Sequence, residues 1–150
     1  MDGKVTVLGP EKEKKQIDKL VSLCTDKFSE LKLSNTCVLS DIYFEYGDIL
    51  QDFDCIVLPY ELKDKININT KNVITFSMNK NNADFSTINF LEHDSYNSFE
   101  IMSTNSMGRV FTDKKCGYDA KTILICACIF AVNGAKLSDI LEVVNSILKP

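Results

Sequence analysis

The chain has 150 residues, 45% of them apolar and 25% charged, a balance that fits one globular domain burying roughly 70% of its unfolded surface. Its 17 basic and 21 acidic residues give a formal net charge of −4, which speaks against nucleic acid or an anionic membrane surface as partner. The longest apolar run, 123–132, is about half of the ~20 residues a membrane span needs.

In chain order, Val5 to Leu8 is a short β-branched run closed by Gly9-Pro10, which predicts a buried strand and its turn. Ile17, Leu20, Val21, Cys24, Phe28 and Leu31 then recur at helical spacing, one apolar stripe on an otherwise charged helix. Lys12, Lys14 and Lys15 alternate with Glu11 and Glu13 and read as a solvated face. Thr36 to Leu39, Cys55 to Leu58 and Val73 to Phe76 are three more strand-like runs. Their spacing leaves room for crossovers and predicts a mainly parallel sheet flanked by helices.

The pattern changes after Ser77. Ala83 to Leu91, Ser98 to Met102 and Arg109 to Thr112 alternate partly with period two, and polar turns separate them, which predicts a small antiparallel meander. Asp119 is placed to cap a helix running to Val132 that Asn133-Gly134 terminates. That helix is apolar all round, so it is expected to be buried on more than one side. A second helix, expected to be capped by Ser138, carries Leu137, Ile140, Leu141, Val144, Ile147 and Leu148 on one face. The fold class is therefore α/β, with a C-terminal helix pair, and residues 1–150 read as a single domain without a linker or repeat.

Six cysteines include no Cys-x-x-Cys pair, and His93 is the one histidine. No zinc set can be assembled, no metal site is expected, and buried reduced thiols in a cytoplasmic protein are. Met1-Asp2-Gly3-Lys4 leads straight into the first strand, without the pattern of a secretory leader.

From about Asp41 onward the order of short motifs is informative. Ile42-Tyr-Phe-Glu45 precedes Tyr46-Gly-Asp-Ile-Leu50, and Asp52-Phe-Asp-Cys-Ile-Val-Leu-Pro59 follows. Val73-Ile-Thr-Phe-Ser77 leads to Ala83-Asp84 and then Ser86 to Asn89. Gly117-Tyr-Asp-Ala-Lys-Thr122 opens an alanine-containing helix, followed by Asn133-Gly134 and an amphipathic helix. In this order they resemble the central domain of the Mur ligase family, the ATP-dependent amide ligases of peptidoglycan synthesis and their relatives. The resemblance covers roughly residues 41–149 and, weakly, the first strand. It implies that Glu45 stands where the family has a glutamate serving the magnesium site. It also implies that Asp119 and Thr122 stand where family asparagines lie near the adenine. A Mur-like sheet further implies the Val5 strand in its middle and the helix pair beside the meander.

The departures concern chemistry. The family opens with a Gly-Thr-x-Gly-Lys-Thr type loop whose amides and lysine hold phosphates. Here the corresponding turn is Gly9-Pro10-Glu11-Lys12, with a proline that lacks a donor and a glutamate where phosphate would sit. The family's Asn…Asp-His signature is absent from Tyr60-Glu-Leu-Lys-Asp-Lys65, and both adenine-side asparagines are replaced. No catalytic residue is assigned. The expected function is a non-catalytic binding domain without a cofactor, contacting a partner protein or itself through the apolar helix or an exposed strand edge. The alternative is a divergent ligase-type enzyme or nucleotide-binding protein. It would use ATP and magnesium, with a phosphate site rebuilt from Lys12, Lys14 and Lys15, and with Glu45, Asp119 and Thr122 around the nucleotide.

Overall fold

The computed structural model describes residues 3–28, 30–42, 52–66, 68, 72–79 and 82–149. Four short strands, β1 (Val5–Leu8), β2 (Thr36–Leu39), β3 (Cys55–Pro59) and β4 (Asn72–Ser77), pair in parallel and in chain order. β5 (Phe85–Glu92), β6 (Tyr96–Ser103) and β7 (Met107–Asp113) form the predicted antiparallel meander. The two halves are one sheet of order β1-β2-β3-β4-β5-β6-β7 among the described residues. They join through a parallel contact, Phe76 opposite Phe85 and Ser77 opposite Ser86. So short a parallel return needs a clip, and Asp84 supplies it. Its Oδ2 accepts from the Thr75 amide at 2.9 Å and the Thr75 hydroxyl at 3.1 Å.

The order corrects one expectation: β1 lies at an edge, not in the middle, and no described strand flanks its far side. Each later parallel strand adds beyond the last one, the short-range neighbour choice that chain connectivity favours.

Helix α1 (Glu11–Thr25) buries Ile17, Leu20, Val21 and Cys24. It ends earlier than the apolar stripe, because the Thr25 hydroxyl bonds back to the Val21 carbonyl at 2.7 Å and the chain tightens through Lys27 N–H to Cys24 O. Phe28 still reaches the core from the following turn and stacks on Phe130 with centroids 4.9 Å apart.

Helix α2 (Ala120–Val132) is the centre of the main core. It is packed between α1 and α3 (Leu137–Leu148) and lies over β3, β4 and β5. From Ile123 to Phe130 every residue is essentially inaccessible. The expectation that this apolar helix docks a partner is therefore corrected: its apolar circumference is consumed by the chain's own layers. Its end is a Schellman motif at Gly134 (φ 101°), with Gly134 N–H to Ala131 O and Ala135 N–H to Phe130 O, both at 3.0 Å. Asn133 fastens that end to β2, accepting from Ser34 N–H at 2.8 Å and donating to Thr36 Oγ1 at 3.1 Å.

α3 starts at Leu137 rather than after a Ser138 cap. Leu137 is buried, and the chain turns helical two residues sooner, with Lys136 preceding the helix without a side-chain cap bond. The helix packs on β7, as expected of a pair beside the meander. Asn145 treats that edge strand as a partner: its Oδ1 accepts from Phe111 N–H at 3.0 Å and its Nδ2 donates to Arg109 O at 2.9 Å. The sheet's opposite face holds a smaller core of Cys37, Leu39, Ile56, Leu58 and Leu62.

All six cysteines are free, five are buried and Cys116 is half-buried. Cys126 lies 3.9 Å from Cys24 across the α1–α2 contact. That thiol contact pulls the Cys24 pKa down, whereas the same contact and burial push Cys126 up. His93 stacks on Tyr96 at 4.2 Å and meets Ser98 Oγ at 3.3 Å.

Candidate functional site

In a parallel α/β sheet the natural site lies at the carboxyl ends of the strands, where helix N-termini converge. Here β1 ends at Leu8, Gly9-Pro10 makes the corner, and α1 begins at Glu11 with Pro10 as a cap that makes no side-chain bond. Glu11 and Glu13 stand in the first turn of α1, where the helix dipole favours negative charge.

Glu13 turns into the corner. Its Oε2 accepts from the Ser40 hydroxyl just past β2 at 2.8 Å, and its Oε1 accepts from Lys121 Nζ in the first turn of α2 at 2.6 Å. One carboxylate thus ties together the starts of two helices and the end of a strand. Gly9 is required there, since a Cβ at this position would overlap the Ser40 hydroxyl. A groove of about 260 Å³ opens beside this cluster, lined by Ser40, Asp41, Pro59, Glu61, Ser77 and Lys121 among others.

The structure brings two of the three expected nucleotide-side residues together. Asp119 accepts from the Thr122 amide through Oδ1 at 2.8 Å, the predicted N-cap of α2. Both line a cleft of about 360 Å³ with Lys12, Gln16, Gly117 and Tyr118. Glu45 lies outside the described residues. Of the lysines on α1, Lys14 is spoken for by Asp18 at 2.9 Å, a contact that raises its pKa. Among the described residues no group of three or more histidine, cysteine, aspartate or glutamate side chains is placed to hold a metal ion. None of the described helices is long and apolar enough to cross a membrane.

Sequence reasoning missed the Glu13–Ser40–Lys121 cluster. Glu13 and Lys121 are 108 residues apart, and the only local signal was an acidic first turn, which a solvated helix face explains equally well.

Comparison with solved structures adds to this geometry. A UDP-N-acetylmuramoyl-L-alanyl-D-glutamate–2,6-diaminopimelate ligase superposes over 100% of this chain at a TM-score of 0.74 and 11% identity. The chain has a Mur-ligase-like fold. A murein peptide ligase, Mpl, from Psychrobacter arcticus matches 74% of the chain at a TM-score of 0.53 and 13% identity. MurF from Acinetobacter baumannii matches 73% at 0.52 and 11%. The chain spans 47%, 26% and 28% of those three proteins, respectively. At such identities the likeness is one of fold. No family model matches the sequence, and no curated protein matches it. The Mur-ligase-like sheet nevertheless places the Glu13 cluster at the carboxyl ends of its parallel strands.

Proposed function

We propose that this chain is a non-catalytic, cytoplasmic Mur-ligase-like domain that acts by binding a partner protein or a second copy of itself. The observation that carries the reading is Glu13. At the β1–α1 corner a phosphate needs amide donors and a lysine. Here the chain's own carboxylate takes both the Ser40 hydroxyl and the Lys121 ammonium, and Pro10 removes a donor. A triphosphate arriving there meets negative charge and an occupied lysine. The six unpaired cysteines fit a reducing compartment. For contact with a partner, β1 offers an edge that no described strand flanks, and the meander exposes Met107 and Phe111.

Isothermal titration of ATP and ADP with magnesium tests this reading, together with light scattering for self-association. The expected result is no nucleotide binding tighter than about millimolar. Magnesium-dependent binding in the micromolar range would overturn it.

The second reading, a nucleotide-binding protein or ligase-type enzyme with a rebuilt phosphate site, is favoured by the cleft that Lys12 shares with Asp119 and Thr122. It requires Lys12→Ala to abolish binding of MgATP. Binding unchanged in that variant rejects it.

A further inference from the structure

A groove of about 510 Å³ opens at the end of α2 away from the Glu13 corner. Ala131 in its lining and Lys121 at the corner are separated by roughly 15 Å of helix, at 1.5 Å per residue. Two turns frame it. α2 stops in the left-handed turn at Gly134, and the small side chains of Ala131 and Ala135 leave space beside Ile74 and Phe85. On the other side β6 ends at Ser103 and β7 begins at Met107, with the Ser103 and Ser106 hydroxyls 2.7 Å apart across the turn.

The floor of the groove is apolar. Ile74 and Phe85 come from the sheet and Leu137 from α3. Phe85 and Leu137 are buried, whereas Met107 at the rim is 56% exposed. A flexible, water-exposed thioether beside an apolar floor is a surface that adapts to an aliphatic chain.

The charge at the groove has one sign. Lys136 is the one charged group among the described lining residues, in a chain with 21 acidic residues. Its ammonium has no ion-pair partner among the described residues. Asp139, the next acid along the chain, lines a separate groove with Lys27 and Glu30. The volume is within the range of small-molecule sites. A phosphate would bring more charge than one lysine neutralises and would leave the apolar floor uncovered.

We infer that this groove binds a small aliphatic monocarboxylate, with its hydrocarbon chain along Ile74, Phe85, Met107 and Leu137 and its carboxylate at the Lys136 ammonium. Asn105 and Ser138, at the same rim, supply further donors. The inference goes beyond the proposed function and does not rest on it, because no nucleotide, partner protein or residue of the Glu13 corner takes part.

Octanoate is the probe, titrated by NMR against the whole chain. Butyrate and octan-1-ol are its controls, lacking the long chain and the charge, respectively. Saturable octanoate shifts confined to residues around Phe85, Met107 and Lys136 are expected. Each buried methylene tightens binding by up to about fourfold, so butyrate should bind at least about tenfold more weakly. Lys136→Gln should weaken octanoate about fivefold and leave octan-1-ol unchanged, and Lys136→Arg should restore octanoate. Met107→Ala should weaken octanoate and octan-1-ol alike, with circular dichroism confirming that each variant is folded. Absence of saturable shifts, butyrate binding as tightly as octanoate, shifts centred on the start of α2, or octanoate affinity that survives Lys136→Gln would each overturn the inference. Equal weakening of octan-1-ol in Lys136→Gln would show that the lysine acts through the fold and not through its charge, and would overturn it as well.

Discussion

The Glu13 corner and the Asn97 cavity both lie at helix starts, and they treat polar groups in opposite ways. In the corner each of Glu13, Ser40 and Lys121 has a partner from another element, at 2.6 to 2.8 Å. In the cavity of about 400 Å³ that Phe90, Asn97 and Tyr118 line beside the start of α2, Asn97 Oδ1 and the Tyr118 hydroxyl have none among the described residues, and the β5–β6 register slips between Ile88 and Leu91 next to the Phe90 wall. Both places lie at the carboxyl end of the sheet, around the start of α2. In the corner the chain's own groups satisfy one another, and in the cavity two buried polar atoms stay unmatched among the described residues.

The comparison can be broken by mutation, beginning with the largest effect. Phe99→Ala removes the buried ring beneath Phe90 and should cost about 3–5 kcal/mol in urea unfolding. A loss below about 1 kcal/mol would show that the cavity wall is not part of the packed core. Asn97→Leu carries the opposite sign. Removing an unmatched buried acceptor should stabilise the chain by about 1 kcal/mol, whereas a destabilisation of that size would mean the oxygen already has a partner. Asp119→Ala strips the α2 cap and should cost about 1 kcal/mol, with Asp119→Asn restoring most of it.

Glu13→Ala sharpens the other side of the comparison. The Glu13–Lys121 pair is roughly a third exposed at both ends (32% and 29%), so its loss should cost only about 0.5 kcal/mol and less in high salt. The smallest effect is on alkaline stability. Tyr118 has a raised folded-state pKa, so its contribution is complete below its ordinary value of 10 and is lost as pH rises through the raised value. Cys37, pushed up to about 12 by burial, has the same sign and acts in both proteins. The difference in unfolding midpoint between the unaltered chain and Tyr118→Phe from pH 9 to 11 therefore isolates the tyrosine; parallel curves would show its phenol to be unperturbed.

Local sequence was a sound guide wherever a short-range rule decides the outcome. Period-two alternation placed the three meander strands, Asp119 capped α2 through the Thr122 amide, and Asn133-Gly134 ended it in a left-handed turn. The stripe through Phe28 was a true packing signal but a false helix boundary, because burial does not require that the backbone stay helical. Likewise the uniform apolarity of α2 was legible, but what covers it was not.

The residues alone determined an α/β chain with four parallel strands, a meander and a final helix pair, since hydrophobic period, caps and turn residues act over a few positions. Tertiary structure alone decided that β1 is an edge, that α1, α3 and the sheet are what cover α2, and that Glu13 meets Lys121 across 108 residues. It alone turned Phe90 inward as well. These are choices among distant partners, governed by which surfaces exclude water together and which charges find each other, and no local spacing encodes them.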